Sequence, residues 1–237
     1  MQKYEKDLER CTFFHTFATM NVRRILFFLV LTLCATAVCG KKKQELLFEA
    51  QALCNGQPVT VTFGVSSRLK GGCFVGTNKL GRPAVNTSLK GRLVLPDSVR
   101  VPHDLRIGRR VIFPADTVLA VVNVSIRAFA DCSNLTEIVL PPTLVYISDQ
   151  AFLNCTSLTT VTLPPELKRI YPFAFRGCTR LRRIVATGSI APDAVNDIFE
   201  PSTLRQATLV VPYQGGDHYA RTFPWSLFNY RFKRFEP

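Results

Sequence analysis

Residues 151–178 read Ala-Phe-Leu-Asn-Cys-Thr-Ser-Leu-Thr-Thr-Val-Thr-Leu-Pro-Pro-Glu-Leu-Lys-Arg-Ile-Tyr-Pro-Phe-Ala-Phe-Arg-Gly-Cys. The Ala-Phe-x-x-Cys phrase that opens this stretch at Ala151 closes it at Ala174, and it also stands at Ala128, the same interval earlier. Each cysteine is followed by the same apolar sequence: Leu135, Ile138, Leu140; then Leu158, Val161, Leu163; then Leu181, Ile184, Ala186. Pro141 and Pro164 follow the first two sets, and then come Leu144/Ile147 and Leu167/Ile170, with Val121/Val124 one period back. A fixed period of this length marks a solenoid, because one such unit cannot bury its apolar face without a neighbour.

Within a unit the alternation sends Leu158, Val161 and Leu163 to the core and leaves Thr160 and Thr162 on the open sheet face. Proline ends the strand, since it has no N–H for the ladder. Leu167 and Ile170 form a return strand or turn, and Ala-Phe-x-x-Cys forms a helical turn with its phenylalanine between layers. Working outward, Arg92-Leu93-Val94-Leu95-Pro96 and Ala207-Thr208-Leu209-Val210-Val211-Pro212 repeat the strand-and-proline ending. The expected fold is a mainly β solenoid with short helical turns and a parallel sheet of about five rungs. Residues 41–91 form a β-rich N-terminal region, where Val59–Phe63 alternates with period 2. The solenoid covers 92–206, with an insertion at 97–118 in which Arg110–Phe113 suggests a hairpin or extra strand. Residues 207–237 supply a last strand and a cap containing Tyr213, Tyr219, Phe223, Trp225, Phe228, Tyr230, Phe232 and Phe235.

Residues 1–40 are a leader. Asn21–Arg24 is a basic start, Ile25–Val38 an apolar run, and Ala35–Ala37 and Val38–Gly40 offer small residues for cleavage, the pattern of a secretory signal peptide. Met20 heads that pattern as a candidate start. The mature chain is expected to begin at Val38 or Lys41, exported and without a stable membrane span. Acylation at Cys39 is the rival reading, opposed by the bulk of Val38 and by Lys41–Lys43.

The formal charge is +13, of which the leader accounts for five Lys/Arg and three Asp/Glu. A basic exported chain suits a soluble protein or one drawn to polyanions such as acidic glycans. The absence of any nucleic-acid-binding motif, together with the export signal, argues against nucleic acid. Cys132, Cys155 and Cys178 share one repeat slot and should behave as small buried hydrophobes, because equivalent side chains in a stack point the same way. Cys54 and Cys73 are a candidate disulfide in an oxidising compartment.

The phrase Leu-x-x-Val-x-Leu-Pro-x-x-Leu-x-x-Ile-x-x-x-Ala-Phe-x-x-Cys-x-x-Leu at residues 158–181 resembles the BspA-like leucine-rich repeats of surface and secreted proteins of Bacteroidetes and some protozoa. The resemblance covers about residues 92–230, and Pro212, Tyr219, Trp225 and Phe228 are similar to the family's C-terminal unit. It implies an exported interaction protein, often adhesive, and it carries no catalytic residues. The chain departs from the pattern at 97–118, at the degenerate unit 187–206 and in its many arginines.

No catalytic constellation accompanies His103-Asp104 or Asp217-His218, and no phosphate loop or metal-ligand spacing occurs, so the chain reads as non-catalytic and without cofactor or metal. The sequons at Asn86, Asn123, Asn134 and Asn154 are incidental in a bacterial source. The candidate ligand-binding face is the outward sheet ladder Arg92/Val94, Glu137/Val139, Thr160/Thr162, Arg183/Val185 and Thr208/Val210. Its alternative is an ordinary solvated face with valines present for β-propensity. A second candidate is a basic patch of Lys168, Arg169, Arg176, Arg180, Arg182 and Arg183. Two functions compete: adhesin-like binding of a host or cell-surface protein or acidic glycan, and an envelope-associated structural role held by charge alone.

Overall fold

A computed structural model describes residues 46–66, 71–77 and 82–235, with Asn196 and 229–235 as backbone only. The leader, the cleavage sites and Cys39 lie outside the described residues, as do the side chains of Tyr230, Phe232 and Phe235. In chain order the strands are β1 (Leu46–Cys54), β2 (Gln57–Val65), β3 (Gly72–Val75), β4 (Gly91–Val94), β5 (Ser98–Arg100), β6 (Leu105–Ile107), β7 (Arg110–Phe113) and β8 (Val118–Val124). They continue as β9 (Leu135–Val139), β10 (Tyr146–Ile147), β11 (Thr160–Leu163), β12 (Arg169–Ile170), β13 (Arg183–Ala186), β14 (Asp193–Ala194), β15 (Thr208–Pro212) and β16 (Phe232–Phe235). Two short helices, α1 (Pro201–Gln206) and α2 (Gly216–Arg221), come late in the chain.

Two parallel ladders flank one core. The first stacks β4, β9, β11, β13, β15 and β16. The second stacks β3, β8, β10, β12 and β14. Their register is the sequence period: Thr160 lies opposite both Glu137 and Arg183, and Ile147 lies opposite Val124 and Ile170. Ile138, Val161, Ile184 and Leu209 of the first ladder and Val124, Ile147 and Ile170 of the second meet in the core, all fully buried. β16 extends the first ladder by one strand beyond the five expected, because residues 232–235 pair with β15 instead of lying in the cap.

The turns between the ladders bind one unit to the next. The Ala-Phe-x-x-Cys segment closes through i→i+3 bonds such as Cys155 N–H to Phe152 O at 3.3 Å. Left-handed residues bracket it, Gln150 at φ 54 and Asn154 at φ 60, so the turn cannot propagate into a longer helix. Phe152 N–H then donates to Ala174 O, and Asn154 N–H to Arg176 O, each at 2.8 Å. At the next unit the acceptor changes: the Glu200 carboxylate receives Gly177 N–H at 3.2 Å and also lies 3.5 Å from Arg176 Nε.

The β1–β2 hairpin covers the first end of the stack. β1 pairs antiparallel with β4 of the first ladder, and β2 passes through β3 to β8 of the second, so one sheet runs continuously around that end. Phe48, Ala52, Val61, Phe63 and Val65 are its buried side. Asn55 at the hairpin turn finishes the job, accepting Arg92 N–H at 2.8 Å and donating to Lys90 O at 2.9 Å. Gly91 between them has φ +100, and a β-carbon there would collide with the Asn55 amide.

In the segment 97–118, β5 pairs with β8, while β6 and β7 form a separate two-stranded sheet. At the other end, Phe199 receives Trp225 and Phe228 edge-on at centroid distances of 6.1 and 5.9 Å. Trp225 Nε1–H donates to Pro192 O at 2.8 Å, and Tyr219 O–H to Ile190 O. Tyr213 and Phe223 stay exposed.

Candidate functional site

The first ladder presents two columns of side chains, two residues apart along every strand. One is polar: Arg92, Glu137, Thr160, Arg183 and Thr208, in unbroken register. Its first two members pair, with Arg92 Nε 3.2 Å from Glu137 Oε1. The other is β-branched: Val94, Val139, Thr162, Val185 and Val210. Val94, Val139, Thr162 and Val185 are half-buried, each flanked by its in-register neighbours. Val210 departs from the expectation of an exposed strip, because only 6% of it reaches solvent. β15 lies between β13 and β16, with Val185 and Lys233 at the register positions on either side of Val210.

The six basic residues at 168–183 do not form one patch. One turn of the coil separates them: Lys168 and Arg169 lie at the second ladder, Arg176 in the Phe turn, and Arg180, Arg182 and Arg183 on the approach to the first ladder. Arg169 is paired with Asp193 at 3.0 Å, and that carboxylate and Tyr171 raise its pKa. Arg176 meets Glu200 and lies 5.2 Å from the Phe173 ring centroid. Arg182 donates to the Thr179 and Leu181 carbonyls. Among the described residues Lys168, Arg180, Arg182 and Arg183 form no ion pair, and three of these four cations lie at the Arg180–Arg183 edge.

Cys54 and Cys73 are not brought together. Cys54 faces Gln57 at the turn of the hairpin, whereas β3 joins β2 at Phe63 and Gly64, towards its far end. Eight residue steps of strand span roughly 26 Å, and a disulfide needs its Cα atoms within about 7 Å. Both thiols are free and buried, and burial pushes Cys73 up to about 12. The repeat cysteines are buried too, and they also bond: Cys155 and Cys178 donate their thiol hydrogens to Phe129 O and Phe152 O at 3.1 and 3.2 Å. Burial raises Cys132 to about 12, and a hydrogen bond with Cys178 followed by burial raises Cys155 well above the ordinary thiol value.

The two histidine-aspartate pairs serve the fold. Asp104 accepts Ala115 N–H at 2.9 Å and an Arg106 guanidinium at 2.6 Å, contacts that hold its carboxyl below the usual range. His218 Nδ1 accepts Ala191 N–H at 3.1 Å. Sequence reading missed Asn55 and Glu200, which satisfy the two ends of the backbone ladders. The only signal for Glu200 was its place one repeat period after Gly177.

Parallel ladders stacked at the pitch of the sequence repeat around a single core define a leucine-rich repeat solenoid. Residues 115–210 match the BspA type leucine rich repeat region in six copies. Among solved structures, the leucine-rich repeat protein of T. pallidum shares 18% identity at a TM-score of 0.40, over 65% of this chain and 69% of that one. A leucine-rich cell surface protein of Faecalibacterium prausnitzii A2-165 shares 18% identity at a TM-score of 0.42, over 70% of this chain and 44% of that one. No curated protein matches in sequence.

Proposed function

We propose that the chain is an exported, non-catalytic binding protein that recognises a protein partner through the open face of its first ladder. The observation that supports this most is the unbroken register of the two columns. Each side chain is braced by its neighbours on adjacent rungs, so little rotamer freedom remains to be lost on binding. Five rungs at about 4.8 Å make a flat surface roughly 19 Å across, the shape for another macromolecule rather than for an enclosed small ligand. The half-buried Val94, Val139 and Val185 offer apolar area beside the Arg92–Glu137 pair and beside Arg183, which has no ion pair among the described residues.

Export rests on the leader at residues 20–40, and a surface or extracellular setting follows from it. Among the described residues no helix is long and apolar enough to cross a membrane. Mass spectrometry of the secreted form should show a new N-terminus between Val38 and Lys41, and retention of residues 2–20 counts against export by this signal.

The binding test is a pull-down of the full chain against extracellular-matrix and host-surface proteins, repeated with Val139→Glu/Val185→Glu. A saturable partner lost in that variant, at unchanged melting temperature, supports the proposal. Retention that follows ionic strength alone, with no saturable partner, favours the charge-held structural role instead.

A further inference from the structure

The second ladder ends at β14, and the chain crosses again just beyond it at Thr222 and Phe223. Two clefts meet there. One, of about 390 Å³, lies between the Arg169–Pro172 segment, the Asp193–Val195 segment and Thr222–Phe223. The other, of about 560 Å³, lies between residues 165–168 and 187–193. Asp193 lines both, so the two clefts lie on either side of this one residue, forming a grooved region on a different face from the first ladder.

The chemistry of the groove differs from that of the rest of the surface. Phe223 is 46% exposed and Tyr171 half-buried, both in the first cleft, and Ile190 is 71% exposed in the second. Apolar and aromatic lining with a few placed polar groups is the general composition of a small-ligand site. One polar pair here is already fixed: Arg169 Nη2 holds Asp193 Oδ2 at 3.0 Å. Charge cancels along the groove, Arg169 against Asp193 and Lys168 against Glu166. In a chain of formal charge +13 this neutral strip disfavours anionic ligands relative to the rest of the surface.

We infer that this groove binds a neutral oligosaccharide, with the C–H face of one pyranose ring on Phe223 and adjacent hydroxyls on the Arg169–Asp193 pair. The pair suits that task because guanidinium donors and a carboxylate acceptor stand side by side and planar, matching the donor and acceptor roles of neighbouring hydroxyls. Tyr146, in register with Arg169 on the preceding rung and 36% exposed, offers a further ring in the same row. This site goes beyond the protein-binding reading of the first ladder and does not depend on it.

The test is titration of the full chain with cellotetraose, chitotetraose and maltotetraose by saturation-transfer NMR, alongside a heparin tetrasaccharide and a casein digest. At least one neutral tetrasaccharide should bind with a Kd of about 1 mM or tighter. Phe223→Ala and Asp193→Asn should each weaken it about tenfold or more, while Arg109→Ala, at the exposed turn before β7, leaves it unchanged. Both substituted residues are exposed, and should Phe223→Ala fail to fold, Asp193→Asn carries the comparison. The inference is overturned if no neutral tetrasaccharide binds at about 10 mM, if neither variant weakens binding, or if heparin or casein peptides occupy the groove in its place.

Discussion

The rings of Phe152 and Phe175 lie 5.0 Å apart, centroid to centroid, with their planes 7° from parallel. The same stacking joins Phe129 to Phe152 at 5.3 Å and Phe175 to Phe199 at 5.5 Å. One phenylalanine per rung therefore forms a continuous column inside the turns, and backbone bonds from Phe152 N–H to Ala174 O run beside it. Phe152 and Phe175 each touch a ring above and a ring below, so the column couples neighbouring units.

Phe152 sits inside this column and is fully buried, so truncation removes contacts on both sides at once. Phe152→Ala should cost about 3–5 kcal/mol. Thr160→Ala, on the open face, should stay within about 0.5 kcal/mol. Urea unfolding of the two variants measures the difference, and coincident midpoints would contradict the assigned faces.

Glu200 ends the turn ladder with a side chain where earlier rungs use a backbone carbonyl. Glu200→Ala leaves the Gly177 N–H without its acceptor and Arg176 without its carboxylate. We expect a loss of about 1–3 kcal/mol, with Glu200→Gln milder because an amide oxygen still accepts from Gly177. Glu166→Ala, exposed and away from the ladder, is the reference at about 0.5 kcal/mol or less. Equal melting temperatures for Glu200→Ala and Glu166→Ala would remove Glu200 from this role.

The rungs were legible because a solenoid repeats the same demand at every turn. Val161 needs an apolar residue above and below, and Ile138 and Ile184 appear one period away on either side. The ends were less legible because there the demand is met once, by different chemistry. Phe199 comes one residue late for the interval that separates Phe152 from Phe175. Thr203 takes over the cysteine's place as a small buried donor, reaching Cys178 O at 3.4 Å. The hairpin that closes the first end announced itself only as alternating strand material, since pairing with both ladders is a long-range event. The basic cluster misled for a related reason: residues adjacent in sequence travel around a coil, so the cations between Lys168 and Arg183 reach three different faces.

Burial of Cys73 and Cys132 holds both thiols neutral up to about 12. In the unfolded chain they ionise near their ordinary value, so above it the unfolded state has released protons that the folded state still binds. Stability from these thiols is thus complete below about pH 8.5 and declines as pH rises towards 12. We expect melting temperatures to fall over that window, less steeply in Cys73→Ala. Thiol labelling at pH 8 should be slow in the folded chain and complete only in denaturant; rapid labelling of all buried thiols under native conditions would contradict the burial.

The basic charge should act at the Arg180–Arg183 edge rather than across the whole unit. Arg169 and Arg176 are each held by a carboxylate, which leaves Arg180, Arg182 and Arg183 as the exposed arginines without an ion pair among the described residues there. Arg182 is exposed as well but bonds two carbonyls of its own turn, so reversing it would disturb the backbone along with the field. Arg180→Glu/Arg183→Glu should therefore abolish most heparin retention while the melting temperature stays nearly unchanged, because both side chains lie in solvent. Retention by the unaltered chain should weaken steeply with salt, since screening shortens the field's reach to about 8 Å at physiological ionic strength. Arg109→Glu/Arg110→Glu, at the tip of the β6–β7 hairpin, makes the same change in net charge at a distant exposed site. If both double variants lose retention equally, the charge acts diffusely over the whole surface, and the edge has no special part in it.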